Sequence, residues 1–382
     1  MRRVIFLGLL LTAIGMMSHE TATAQVLKTE PKEEPKFEWP KEILGKNLEL
    51  WVRTVKESQD ASTRDQALRT LPMFGPDSRK LASANLINAF TKDPDINVRL
   101  TAIAMVPIIG FDEQYVDAGL NGLIAILKPG SGHANHTRYE VTMAIANSGP
   151  IAKRAIQTLA DFTLRDPTSW QNRKAAALAL GRIGAENQPG NGPDLAAVAA
   201  LVKSLSPQIE TSHQVRREVV NSLMLLGPPV VEANWKALRL GLTGSFKDTD
   251  KSIALWARVV YLRTEQDPIK AADPNLVAIA AQLSNKEPSL RNEAVQAIGV
   301  LGEEGKSRLS ELIAIAQNNS EETYIIATAV WAMGQMPSEA GKIIPIIDPM
   351  KRHVDEMVKA AAGNSYKMLT LKDAKNEPPP KK

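Results

Sequence analysis

The sequence predicts an all-α chain, a right-handed α–α solenoid of about eight to nine helical hairpins. Three observations carry that reading. A pattern of Arg, an apolar residue at +3, another at +7 and Gly at +11 recurs along the chain. Aromatics are only 5% of the residues while Ala and Leu abound, which favours closely packed helices over sheets. The chain has 382 residues, 44% of them hydrophobic. A single core rarely grows past ~250–300 residues, so a body this long splits or becomes a repeat array.

In chain order, residues 1–24 read as a secretory signal peptide. Arg2 and Arg3 open it, Val4 to Met17 carries no charge, and Ala22-Thr23-Ala24 is a small-residue cleavage pattern. The apolar run is short for a permanent membrane span, so no span is expected after cleavage, with an uncleaved anchor as the alternative. Residues 25–38 are rich in Lys, Glu and Pro and read as a flexible linker. The repeats fill 39–362, and residues 363–382, ending KDAKNEPPPKK, read as a polar tail.

Within 39–362 six copies of the pattern are complete. They are Arg64/Ala67/Leu71/Gly75, Arg99/Ala102/Val106/Gly110, Arg138/Val141/Ile145/Gly149, Arg173/Ala176/Leu180/Gly184, Arg216/Val219/Leu223/Gly227 and Arg291/Ala294/Ile298/Gly302. Offsets of 0, 3, 7 and 11 fall on one face of a helix. The Gly at +11 suits a helix end, where it can take the left-handed conformation. Asp93-Pro94-Asp95, Asp166-Pro167-Thr168 and Pro288-Ser289 supply start signals just upstream. Degraded copies begin at Ile253, at Thr323 and, as a terminal cap, at Lys351.

Between these helices lie second amphipathic segments at 77–91, 151–165, 195–205 and 308–317. Each unit is therefore a helical hairpin that completes its core only by stacking on its neighbours. Two places are expected to interrupt the stack, the Pro/Gly-rich residues 185–194 and residues 243–250 before the most degraded copy.

Asp93 through Ala102 to Gly110, and Pro288 through Arg291, Ala294 and Ile298 to Gly302, resemble the second helix of a HEAT repeat. The resemblance covers roughly residues 45–362 and implies an armadillo-like helical fold. The opening from Trp39 to Trp51 is also similar to exported bacterial HEAT proteins. The resemblance further implies that the recurrent Arg pairs with a nearby acid, and that Arg99 has Asp93 or Asp95 within reach. Such a series is read as a row of internal ion pairs, with an anion-binding ladder as the functional alternative. Family resemblance alone does not fix an activity.

Chemistry is sparse. Without cysteine the chain has no disulfide, thiolate or Cys-based metal site. No phosphate loop, nucleophile elbow or metalloprotease motif occurs. His133 and His136 form the one close histidine pair, which with Glu140 or Asp112 could ligate zinc but reads better as a solvated loop. Trp39, Trp51, Trp170, Trp235, Trp256 and Trp331 are spaced like packing residues rather than binding anchors, and Trp39 is placed to staple onto the first repeat. Lys and Arg total 46 against 42 Asp and Glu, too balanced for a polyanion track.

The second helices are expected to line a concave face through offsets +2, +5, +6 and +9. At +6 stand Thr70, Met105, Ala144, Ala179, Ser222 and Ala297. The resulting expectation is a non-catalytic, exported scaffold that holds another protein, with no cofactor, no metal and no nucleic acid. The alternatives are an enzyme resembling the HEAT-like bilin lyases and a nucleic-acid-binding HEAT-like protein.

Overall fold

A computed structural model describes residues 38–185, 191–265 and 267–373. The expected signal segment, nearly all of the linker and the end of the tail lie outside these residues. A two-strand ribbon, β1 (Glu42–Ile43) and β2 (Lys46–Asn47), precedes the helices. Its turn has both central residues at positive φ, Leu44 at 51° and Gly45 at 72°, which matches the twist of a tight hairpin.

Helices then alternate in two roles. The first-role helices are α1 (Leu48–Glu57), α3 (Asp77–Lys92), α5 (Val116–Leu127), the one-turn α7 (Ile156–Thr158), α9 (Leu195–Lys203), α11 (Glu232–Ser245), α13 (Pro274–Ala280), α15 (Leu309–Ala316) and α17 (Ala340–Met350). The second-role helices are α2 (Ala61–Thr70), α4 (Ile96–Ile109), α6 (Asn135–Asn147), α8 (Trp170–Ile183), α10 (His213–Leu226), α12 (Lys251–Arg263), α14 (Pro288–Leu301), α16 (Thr323–Gly334) and α18 (Glu356–Asp373). The described residues thus form nine hairpins.

The chain divides into two compact units, and the division falls after Ile183, beside the Pro/Gly-rich segment flagged in the sequence. The first unit holds α1 to α8 and the second α9 to α18. In the first, α2, α4, α6 and α8 pack side by side, and α1, α3 and α5 back them. In the second, α10, α12, α14, α16 and α18 form the same kind of row. One apolar cluster runs from Leu255 through Leu290, Ile298, Ile325 and Met333 to Leu369. Each fully buried Leu or Ile there contributes about 1.5–3 kcal/mol.

Local rules explain the boundaries. Asp60, Asp95, Ser212 and Asp250 cap α2, α4, α10 and α12 by accepting from first-turn amides. Five of the six repeat glycines take positive φ: Gly75 at 73°, Gly110 at 74°, Gly149 at 67°, Gly227 at 74° and Gly302 at 57°. Gly184 follows α8 directly, and its carbonyl accepts from the Asp194 amide at 2.8 Å.

Several expectations need correction. Residues 151–165 do not form one regular helix. A 3-10 stretch (Gly149–Ala155) leads into α7 and then a π-turn (Leu159–Thr163) closed by Leu164 N to Leu159 O at 2.8 Å. The polar tail does not start at 363, because α18 runs to Asp373 with Ser365 and Leu369 buried. No break in the row accompanies residues 243–250. There α12 packs between α10 and α14, and Asp250 caps it.

The degraded copies also shift register. The Arg of a full copy stands four residues after its N-cap. By that rule the counterparts are Ala254 after Asp250, Ile326 after Glu322 and Lys359 after Asp355. They replace the expected Ile253, Thr323 and Lys351.

Candidate functional site: the row of second helices

Arg64, Arg216 and Arg291 each tie one hairpin to the next by the same use of the guanidinium. Arg64 Nη1 donates to the Ser58 and Gln59 carbonyls at 2.9 and 3.1 Å. Its Nε and Nη2 chelate both carboxylate oxygens of Asp93, in the following hairpin, at 2.7 and 2.8 Å. Arg216 repeats this with the Glu210 and Thr211 carbonyls and with Asp248. Arg291 does so with the Asn285 and Lys286 carbonyls and with Glu321. Planar forks suit such two-point pairing.

Each acid also shapes its own loop, since Asp93 accepts from the Asp95 amide and Asp248 from the Asp250 amide, both at 2.9 Å. Burial works to raise the Asp93 carboxyl, but the Arg64 hydrogen bonds, the Asp95 amide and nearby charge outweigh it and hold it below its ordinary value. These contacts give the arginines a structural role.

The other full copies vary the arrangement. Arg138 meets Asp166 through Nη2 alone at 3.1 Å, and its buried Nε has no partner. Arg173 donates through Nη1 to the Asp166 carbonyl at 2.9 Å. Arg99 has the Asp93 carboxylate within Coulombic reach, but its hydrogen bonds go to the backbone carbonyls of Asp93 and Pro94, at 2.5 and 3.1 Å. The Asp93 carboxylate is already held by Arg64.

Across the exposed side of each row, polar groups link neighbouring second helices. Thr101 Oγ1 donates to Asp65 at 2.5 Å and accepts from Arg69 at 2.9 Å. Arg182 donates to Asn147, and Arg217 chelates Asp250 at 2.6 and 3.0 Å. Glu293 accepts from Ser252 Oγ at 2.5 Å and from the Trp256 indole at 3.1 Å. Offset +5 faces solvent or is half-buried, as at Arg69, Ala104 and Gln296. Offset +6 does not point outward: Thr70, Ala144, Ala179, Ser222 and Ala297 are buried, with Met105 half-buried. Helices laid side by side leave room there only for small side chains.

In the second unit this face opens into a polar cleft of about 320 Å³ beside the N-terminal ends of α12 and α14. Arg217, Asp250, Lys251, Ser252, Glu287 and Glu293 line it, so both charge signs meet in one concavity. Sequence reasoning missed this cleft because its groups belong to different copies and carry no shared spacing.

The histidines do not converge. His136 lies 3.9 Å from Glu140 on an exposed helix surface, and no group of three or more candidate metal ligands occurs among the described residues. The tryptophans mostly pack. Trp51 is buried, and Trp331 lies where a Cβ on Gly299 would come within 2.4 Å of its ring. Trp39 lies over Gly75, within 2.3 Å of where a Cβ would stand, although it is 48% exposed.

No family model matches the sequence, and no curated protein does. Among solved structures, importin beta in an ammonium sulfate condition superimposes with a TM-score of 0.51 at 12% identity, over 84% of this chain and 46% of that one. The fold is that of a HEAT-repeat solenoid. The chain thus spans under half the length of importin beta. An engineered protein aligns at 18% identity with a TM-score of 0.40, over 85% of this chain and 88% of that one. The complex of CpcE and CpcF of phycocyanin lyase from Nostoc sp. aligns at 17% identity with a TM-score of 0.43, over 75% of this chain and 94% of that one. No described helix is long and apolar enough to cross a membrane.

Proposed function

We propose that this HEAT-type chain is a non-catalytic scaffold that holds another protein outside the cytoplasm. The observation that carries the reading is the cleft beside α12 and α14. It sets Arg217, Lys251, Glu287 and Glu293 around an open concavity on a face made of repeated helices. Repeat rows present extended surfaces suited to a protein partner. Mixed charge selects a partner by complementarity rather than by sign alone. Export is supported by Arg2, Arg3, the uncharged run to Met17 and the small residues before Gln25.

The test is affinity capture from the exported fraction with the full chain and with a Glu293→Arg, Arg217→Glu variant. A protein recovered by the native chain and lost by the variant is the expected result. Identical recovery by both, or no specific recovery, overturns the reading. N-terminal sequencing of the exported protein tests localisation, with Gln25 as the expected first residue.

A further inference from the structure

We propose that Arg99, at the junction between α4 and α6, is a preformed receptor for an oxyanion, either a carboxylate or a phosphate group. The argument rests on comparison with the other arginines in this chain. In Arg64, Arg216 and Arg291, Nη1 is anchored on two backbone carbonyls, which aims the Nε–Nη2 edge at an acid in the next hairpin. Arg99 is anchored in the same way, on the carbonyls of Asp93 and Pro94. Its Nε is nevertheless buried without a hydrogen-bond partner.

The cause lies in the next loop. Asp93 stands six residues before Arg99, and the residue six before Arg138 is Gly132. The whole segment from Lys128 to Ala134 contains no carboxylate. His133 occupies it instead. Burial first, and the Arg99 charge second, hold that imidazole below its ordinary value, so it stays neutral beside the fork at neutral pH. Gly130 and Gly132 have φ of 78° and 74°, and nothing lies within 4 Å of a Cβ at either, so the loop is open at those two positions.

A guanidinium edge with two parallel N–H groups matches two oxygens of one oxyanion. Leaving a buried charged donor unpaired is costly, so an incoming oxyanion gives Arg99 the two-point pairing that Arg64, Arg216 and Arg291 make internally. The inference is independent of the scaffold reading. It assigns a ligand chemistry to one place in the first unit, whether that group belongs to a free ion or to an acidic side chain.

The experiment is thermal denaturation of the full chain in rising inorganic phosphate, and separately in acetate, at ionic strength held constant with chloride. The expected result is a saturable rise of the first-unit transition by about 3 °C at ten times the half-saturating concentration. A response to phosphate alone, or to acetate alone, identifies which oxyanion fits. Arg99→Gln abolishes the response. His133→Asp places an acid in the loop, raises the transition without added anion and abolishes the response. No response of the native chain to either anion, or an unchanged response in His133→Asp, overturns the proposal. If Arg99→Gln fails to fold, the His133→Asp comparison still decides.

Discussion

Arg64 and Asp93 are joined across adjoining hairpins by two hydrogen bonds, 2.7 and 2.8 Å long, with only 9% and 7% of their side chains exposed. The pair locks the α1–α2 hairpin onto the loop that opens α4. Removing one partner strands the other as a buried charge, which typically costs about 3–5 kcal/mol. Asp93→Ala is therefore expected to lower stability in urea denaturation by about that amount. A paired Arg64→Met, Asp93→Leu variant is expected to lose much less. Equal losses in the single and double variants would argue that the pair does not act as a unit.

Acid sensitivity follows from the same contacts. The carboxyls of Asp93, Asp166, Asp250 and Glu321 all lie below their ordinary values of 3.8 for Asp and 4.5 for Glu. A depressed carboxyl stabilises the fold above the unfolded-state value and loses that contribution as pH falls through the folded value. Stability is thus expected to hold at neutral pH and fall below about pH 4. Asp93→Asn should flatten that fall, as followed by circular dichroism against pH. A slope unchanged by the substitution would remove Asp93 from the account.

Two repeat glycines separate backbone strain from crowding. Gly75 and Gly227 have φ of 73° and 74°, yet a Cβ meets the Trp39 ring at 2.3 Å only at Gly75. Gly227→Ala is expected to cost about 1 kcal/mol from strain alone. Gly75→Ala is expected to cost clearly more, because Trp39 must also move. Trp39→Ala should bring the two substitutions level in thermal melts. A Gly75→Ala cost no larger than that of Gly227→Ala would mean that Trp39 moves aside freely.

The same physics explains which features could be read in advance. Arg64, Arg216 and Arg291, each with its Gly at +11, fix both ends of a helix, so their copies fell in register. Where Arg is replaced by Ala254, Ile326 or Lys359, apolar residues recur every three or four positions and several registers fit equally well. The N-caps Asp250 and Asp355 settle the register, but only once their amide partners are known. The acids that receive each fork lie some thirty residues away, beyond the reach of helical periodicity. The α12–α14 cleft is hidden for the same reason, since Arg217 and Glu293 lie on α10 and α14 while Asp250 caps α12 between them.

The orientation of offset +6 gives the sharpest test of how second helices pack. Ala297 has no exposed surface, while its neighbour Gln296 at +5 is half-buried at the edge of the row. Enlarging a close-packed site forces side chains off their preferred rotamers and shifts backbone, at about 1–3 kcal/mol. Ala297→Leu is expected to cost that much, because α14 cannot withdraw without breaking its packing against both α12 and α16. Ala104→Leu adds the same bulk at the exposed offset +5 of α4, so its effect should stay within about 0.5 kcal/mol. Urea denaturation of the two variants measures the difference. If Ala297→Leu proved as harmless as Ala104→Leu, offset +6 would face outward and the packing of the row would have to be redrawn.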